Sequence, residues 1–312
     1  MRKLYAYTLS VAILIASLCA CTHDYFEDET NLRIFVPELA DKSLTNFHIF
    51  LYDADGVILK HREVDYPFDE EVFIEQGIIR YTIPPGSYNV TCFANTYRPS
   101  ADGDSTLLQV MRGGTREESY VNLQLLQNDN YKPASQLRKV ISQEFDVVPY
   151  GLARELPPDT VHISSEQTHT GIIEYVFKGL PAEITRLDVY TWGLSSRVNF
   201  EGKISSDGRA VFKSVERLDQ NTVFSFSDHY FPSILEEETA ENLYVKIDFL
   251  DSEGNAMGTF SDQLNMENED GTTTPAVLES NTTLTIIFDG FFFSGISLEG
   301  WGDIDTGEVT PM

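Results

Sequence analysis

Cysteine is scarce in this chain of 312 residues, with only three present. Cys19 and Cys21 fall in the N-terminal segment and Cys92 stands alone. No intramolecular disulfide follows from that count once the first two are accounted for by processing, so the fold must rest on its own core. Cys92 sits in the apolar run 88–94, where a buried and inert thiol is expected. Positive charge is scarce too. The chain has 22 Lys and Arg against 49 Asp and Glu, a formal net charge of -27. A surface of that sign repels nucleic acid and anionic headgroups, which excludes a nucleic-acid partner. After the first twenty residues no apolar run approaches the roughly 20 needed to span a bilayer. Long amphipathic helical stretches are missing, and only 136–143 is patterned for a short helix.

Catalytic apparatus is missing from the pattern as well. There is no Gly-rich phosphate loop, no G-x-S-x-G and no H-E-x-x-H. Six histidines are scattered; His162 and His169 fall in a polar stretch read as loop, without cysteine partners for zinc. Asp53, Asp55, Asp303 and Asp305 offer oxygens to a hard cation, but the EF-hand spacing with its distal Glu is lacking and solvated turns account for them. The run Glu236, Glu237, Glu238 reads as a loop face. No carboxylate pair can be singled out among 49 acidic residues. The expectation is a non-enzyme with no catalytic residue, no cofactor and no metal site.

What is present begins at the N-terminus. Arg2 and Lys3 form a basic n-region and residues 9–18 an apolar h-region of signal-peptide length. Leu18-Cys19-Ala20-Cys21 then looks like a lipobox. Cys21 has the small Ala20 before it and Leu18 at the third position back, whereas Cys19 has Leu18 directly before it; Cys21 is therefore the expected lipidation site. Multiple palmitate-type acyl chains, at roughly 0.8 kcal/mol per buried methylene, anchor stably. Ordinary secretory cleavage without lipid is the alternative. Removal of residues 1–20 takes away Arg2 and Lys3 and brings the formal charge to about -29. The following stretch, Thr22 to Thr30, is acidic and resembles a surface-export tether of Gram-negative lipoproteins; a plain solvated leash is the other reading.

Strand signals dominate the remainder. Phe47, Ile49 and Leu51 alternate with polar or aromatic neighbours, as do Leu243, Val245, Ile247 and Phe249, and similar patterns occupy 186–190 and 283–288. Period-two patterning marks half-buried antiparallel strands. Asp53-Ala54-Asp55-Gly56, Ser206-Asp207-Gly208, Asp251-Ser252-Glu253-Gly254 and Asp270-Gly271 read as hairpin turns. The fold class expected is all-β: a signal peptide (1–20), an acidic tether (21–30), and two tandem antiparallel β-sandwich domains (31–155 and 156–312), joined through a proline-containing stretch. Asp104-Ser105-Thr106 and Asp159-Thr160-Val161 match a short O-glycosylation pattern and are read as loops.

The run Asn46-Phe47-His48-Ile49-Phe50-Leu51-Tyr52-Asp53-Ala54-Asp55-Gly56, followed by Pro84-Pro85-Gly86-Ser87-Tyr88-Asn89-Val90-Thr91-Cys92-Phe93-Ala94-Asn95, resembles the Mfa/FimB-type fimbrillin-associated anchor family. The junction Val148-Pro149-Tyr150-Gly151 and the ending Ile296-Ser297-Leu298-Glu299-Gly300-Trp301 are similar to further short motifs of that family. The resemblance implies two transthyretin-like, Greek-key sandwiches and an outer-membrane, surface-exposed lipoprotein of a fimbrium. Such a subunit ties the polymer to the membrane and joins fimbrial shaft or accessory subunits by β-strand addition. Shaft subunits of this type mature by cleavage after an Arg; the weak candidate here is Arg33, and an Arg paired within a sheet resists a protease. The run 306–312 is a poor donor strand by pattern. Two alternatives stay open: a surface adhesin or tip pilin displaying loops such as 98–116 to a host or bacterial surface ligand, and a glycan-binding lipoprotein using Trp192, Tyr230 or Phe291, Phe292 and Phe293.

Overall fold

The structure is a computed structural model that describes residues 31–37, 46–65, 77–98, 105–141, 144–147, 159–163, 168–218, 221–234, 242–267 and 271–300. The first block contains β1 (Leu32–Phe35), β2 (Asn46–Asp53), β3 (Ile58–Asp65), β4 (Ile78–Tyr81), β5 (Gly86–Ala94), β6 (Tyr97–Arg98), β7 (Thr106–Leu107), β8 (Gln109–Met111), β9 (Tyr120–Asn122), β10 (Arg138–Ile141), β11 (Phe145–Val147) and β12 (Asp159–His162). The second contains β13 (Gly171–Lys178), β14 (Arg186–Trp192), β15 (Arg197–Asn199), β16 (Ile204–Ser205), β17 (Val211–Glu216), β18 (Val223–Tyr230), β19 (Tyr244–Leu250), β20 (Ala256–Gln263), β21 (Asn265–Glu267), β22 (Thr273–Pro275), β23 (Thr282–Asp289) and β24 (Phe292–Gly300). The protein is built of β-sandwiches, as the alternating pattern implies.

In the first sandwich, sheet β12-β1-β4 covers sheet β10-β5-β2-β3, with β11 also on β5. Alternation decides which side chains meet. Leu32, Ile34 and Ile79 come from the smaller sheet, and Phe47, Ile49, Leu51, Val90 and Cys92 from the larger; all are essentially solvent-free. In the second sandwich, sheet β18-β13-β23-β24 faces sheet β17-β14-β19-β20. Ile173, Tyr175 and Phe177 of β13 and Leu284, Ile286 and Phe288 of β23 pack against Leu187, Val189, Val245, Ile247 and Phe249. The Phe177 and Phe288 rings stack at 5.0 Å. Two pairings are parallel, β1 with β12 and β13 with β23; the others within the sheets are antiparallel.

Several expectations are corrected. Residues 138–141 are not helical but form β10, whose Val140 lies opposite Cys92; tertiary pairing overrides a weak helical propensity. Asp159-Thr160-Val161 is strand, not loop, and these residues, which follow the expected 155/156 division, pair with Leu32, Arg33 and Ile34. Ser206-Asp207-Gly208 does not close a hairpin, because it carries the chain from β16 to β17 in different sheets. Strand β2 is not half-buried: Phe50 and Tyr52 are 0% exposed alongside Phe47. Its second face meets the other block. Phe200, just past β15, sits 4.5 Å from Phe50 and 4.6 Å from Phe93, ring centre to ring centre.

A shared sheet, β16-β15-β9-β8, reinforces that contact, since β9 of the first block pairs with β15 of the second. Val121 lies opposite Val198, and both are 0% exposed. Arg116 adds a polar tie: its guanidinium donates to Asn89 at 3.2 Å and lies 3.8 Å from the Glu201 carboxylate. Truncating a fully buried phenylalanine costs about 3–5 kcal/mol. Phe200→Ala is expected to lower stability by that amount and to split one cooperative urea transition into two, followed by Trp and far-UV signals; a single, unshifted transition would contradict this coupling.

Candidate functional site

The acidic turns have a structural use. Asp53 accepts the backbone N–H of Asp55 at 3.0 Å and of Val57 at 2.9 Å through Oδ1. Asp251 accepts from Glu253 and Asn255, both at 2.9 Å. Asn199 does the same with Glu201 at 3.0 Å and Lys203 at 2.8 Å. In each, a glycine three positions on has positive φ: 76° at Gly56, 98° at Gly202 and 85° at Gly254. Its N–H returns to the carbonyl of the first residue. One hairpin design therefore recurs three times, and the carboxylates serve as turn acceptors. Hydrogen bonds from Asn255 and from the turn backbone hold the Asp251 carboxyl below its usual range. Asp207 is similar: burial works to raise it, but hydrogen bonds from Tyr131 and Arg209 outweigh that and leave it lowered. Among the described residues no group of three His, Cys, Asp or Glu is arranged to hold a metal.

The described histidines are placed by packing. His162 belongs to β12, and its ring meets Phe35 edge-on at 5.3 Å. The N–H of His169 donates to the Leu137 carbonyl at 2.7 Å. The His48 ring stacks with that of Phe50 at 6.5 Å, and its Nε2 lies 3.1 Å from the Thr96 hydroxyl. A cleft of about 350 Å³ opens beside Arg217, Asp251 and Glu253. Its guanidinium is occupied by the carbonyls of Leu180, Pro181 and Asn221 at 3.3, 2.7 and 2.9 Å. That arginine stitches loops together.

The aromatic residues divide three ways. Tyr230 is 1% exposed and belongs to the core, which removes it from any ligand face. Phe291 is half-buried, 4.9 Å from Phe249, while Phe292 is 76% and Phe293 37% exposed. Trp192 lies on the outward row of β14 with Tyr190, their rings 6.1 Å apart and inclined by 21°. Tyr244 and Phe212, from the flanking strands, meet them at 5.3 and 4.8 Å. Lys246 reaches over the Tyr190 ring, with Nζ 5.1 Å from its centre, and donates to Asp248 at 2.6 Å. These groups form a half-buried aromatic cluster on an outer sheet face. Period-two reading placed 186–190 in a strand; β14 continues to Trp192, and only the cross-strand register shows what stands beside it.

Arg33 sits in β1, the central strand of its sheet. It lies opposite Thr160 on the parallel side and Arg80 on the antiparallel side. Its neighbours Leu32 and Ile34 are 0% exposed. A protease needs an extended, accessible segment, and here that segment is hydrogen-bonded on both edges and buried on one face. Cys21, Asp104, Asp303, Asp305, Glu236 to Glu238, the 148–151 junction, Trp301 and the run 306–312 lie outside the described residues. An Arg-specific protease acting on the native protein is expected to cut after the exposed Arg112 well before Arg33, as read by mass spectrometry of the fragments. Prompt cleavage after Arg33 would show that β1 opens readily.

The fold is shared with solved structures. A candidate adhesin from Bacteroides ovatus superposes with a TM-score of 0.52 at 11% identity, over 76% of this chain and 84% of its own. A candidate polysaccharide-binding protein from Bacteroides thetaiotaomicron gives 0.52 at 13% identity, over 86% and 96%. The fimbrial anchor protein Mfa2 from Porphyromonas gingivalis aligns at 12% identity with a TM-score of 0.46, over 86% and 97%. At these identities the likeness is one of fold. No protein-family model matches the sequence, and no curated protein matches it significantly.

Proposed function

We propose that this chain is an outer-membrane lipoprotein that serves as an anchor or accessory subunit of a fimbria, held by acyl chains on Cys21 and joined to other subunits by strand addition. The observation that carries the reading is the seat of β1. Ten residues separate Cys21 from Leu32, the first residue of a strand bonded on one side to β12 and on the other to β4. Load applied at the lipid runs along β1 and meets two ladders of backbone hydrogen bonds in shear. A subunit cleaved after Arg33 would lose the lipid together with Leu32 and Arg33, the first half of that strand, so anchoring and maturation by cleavage exclude one another. The motif resemblance and a fold shared with a candidate adhesin agree with this role.

Cys21→Ala is expected to move the protein, and the fimbriae attached to it, from the cell fraction to the medium, measured by immunoblot and electron microscopy. Fimbriae that remain on the cells would end the anchor reading.

A second reading, a glycan-binding surface adhesin, is favoured by the outward cluster of Trp192, Tyr190, Tyr244 and Phe212 and by the description of one fold relative as polysaccharide-binding. Stacking of pyranose rings on aromatic side chains is its physical basis. It requires retardation in polysaccharide affinity gels that is lost in Trp192→Ala. Equal migration of the two proteins would remove it.

A further inference from the structure

Among the described residues the second sandwich is closed on one flank, while on the other the β21–β22 hairpin approaches β24 without pairing with it. On the closed flank Lys213 of β17 and Asp228 of β18 bridge the two sheets at 3.4 Å, with Asp228 only 7% exposed. On the other flank lie β20 and β24, and no described strand pairs with the outer edge of either. The inner row of β24 is Phe293, Ile296 and Leu298, opposite Phe288, Ile286 and Leu284. Those three partners are 0% exposed. Phe293 is 37% exposed, and Ile296 and Leu298 are half-buried. Phe260 of β20 closes part of the gap, 6.4 Å from Phe293. The inner face is thus apolar and only partly filled.

The two edges are protected unequally. In β20, Asp262 falls on the inward row, opposite the buried Val245. An inward charge is a recognised guard against stray strand pairing. Strand β24 runs for nine residues without Lys, Arg or Pro. Its one charge, Glu299, is on the outward row opposite Thr283. Such an edge is a template for another strand, with half-filled apolar positions to receive alternate side chains.

We infer that this flank accepts one extended strand from a different protein, bonded to the free edge of β24. Its alternate small apolar side chains complete the row of Phe293, Ile296 and Leu298, and a Lys or Arg meets Asp262 or Glu299. Charge selects this occupant over a second copy, because two chains each carrying a formal charge of -27 repel. The inference rests on the strand-addition reading above and assigns its polarity: through β24 the chain is the acceptor.

The test uses the mature full-length chain in detergent and a synthetic peptide of about ten residues alternating Val and Thr around a central Lys. Hydrogen exchange read by mass spectrometry is expected to slow over 292–300 on peptide binding. Two further peptides are N-methylated along one edge or along the other. One is expected to bind about tenfold or more weakly and the other unchanged, because an added strand uses a single edge. Ile296→Lys is expected to weaken binding similarly; the peptide comparison leaves the protein itself unaltered. No protection of 292–300, or equal loss with both methylated peptides, overturns the inference. So does protection that rises with chain concentration in the absence of peptide, which assigns the flank to a second copy. None of these outcomes bears on the release measured for Cys21→Ala.

Discussion

Burial of both faces of the β2–β5 sheet is the constraint on which the rest of the molecule depends. One face carries Phe47, Ile49 and Leu51 against the β12-β1-β4 sheet, and the other carries Phe50, Tyr52 and Phe93 against Phe200. A sheet covered on both sides cannot slip in register, since a shift of one residue exchanges its two faces and each is shaped to a different partner. The two sandwiches are consequently parts of one packed body. Their joint, through β9 and β15, is itself a sheet. In the proposed anchor role this would matter, because backbone ladders and aromatic packing resist separation of the two sandwiches.

The same economy governs the edges. Antiparallel sandwiches leave four strand edges each, and exposed edges invite unwanted pairing. Here the Lys213–Asp228 bridge closes one flank and the inward Asp262 guards a neighbouring strand. Strand β24 keeps neither device. The contrast within one sandwich gives that edge its meaning: an unguarded strand beside guarded ones marks where another chain is accommodated.

The acidity of the chain has two origins in the structure. Some carboxylates are turn acceptors, as at Asp53 and Asp251, where Oδ1 gathers two backbone N–H groups and a glycine supplies the positive φ. Others, such as Glu117 and Glu253, are surface groups beside clefts, and Glu117 lies 4.0 Å from the Lys203 ammonium. Abundant carboxylates therefore describe a turn-rich, strongly charged exterior.

Local pattern determined the strand class, the hairpin turns at Asp53 and Asp251 and the inward rows of β2, β14, β19 and β23, because alternation and the conformational freedom of glycine act within a few residues. It also determined the lipobox reading, which depends on contiguous residue types alone. Tertiary structure decided the rest. Whether Phe50 and Tyr52 faced water depended on a block more than a hundred residues away. Residues 138–141 and 159–162 became strands because β5 and β1 had free edges to fill, a non-local gain that outweighs weak local preference. Tyr230 and Trp192 are both aromatic residues in strands, yet one is core and the other lies on an outer face; only the packing of the second sheet distinguishes them.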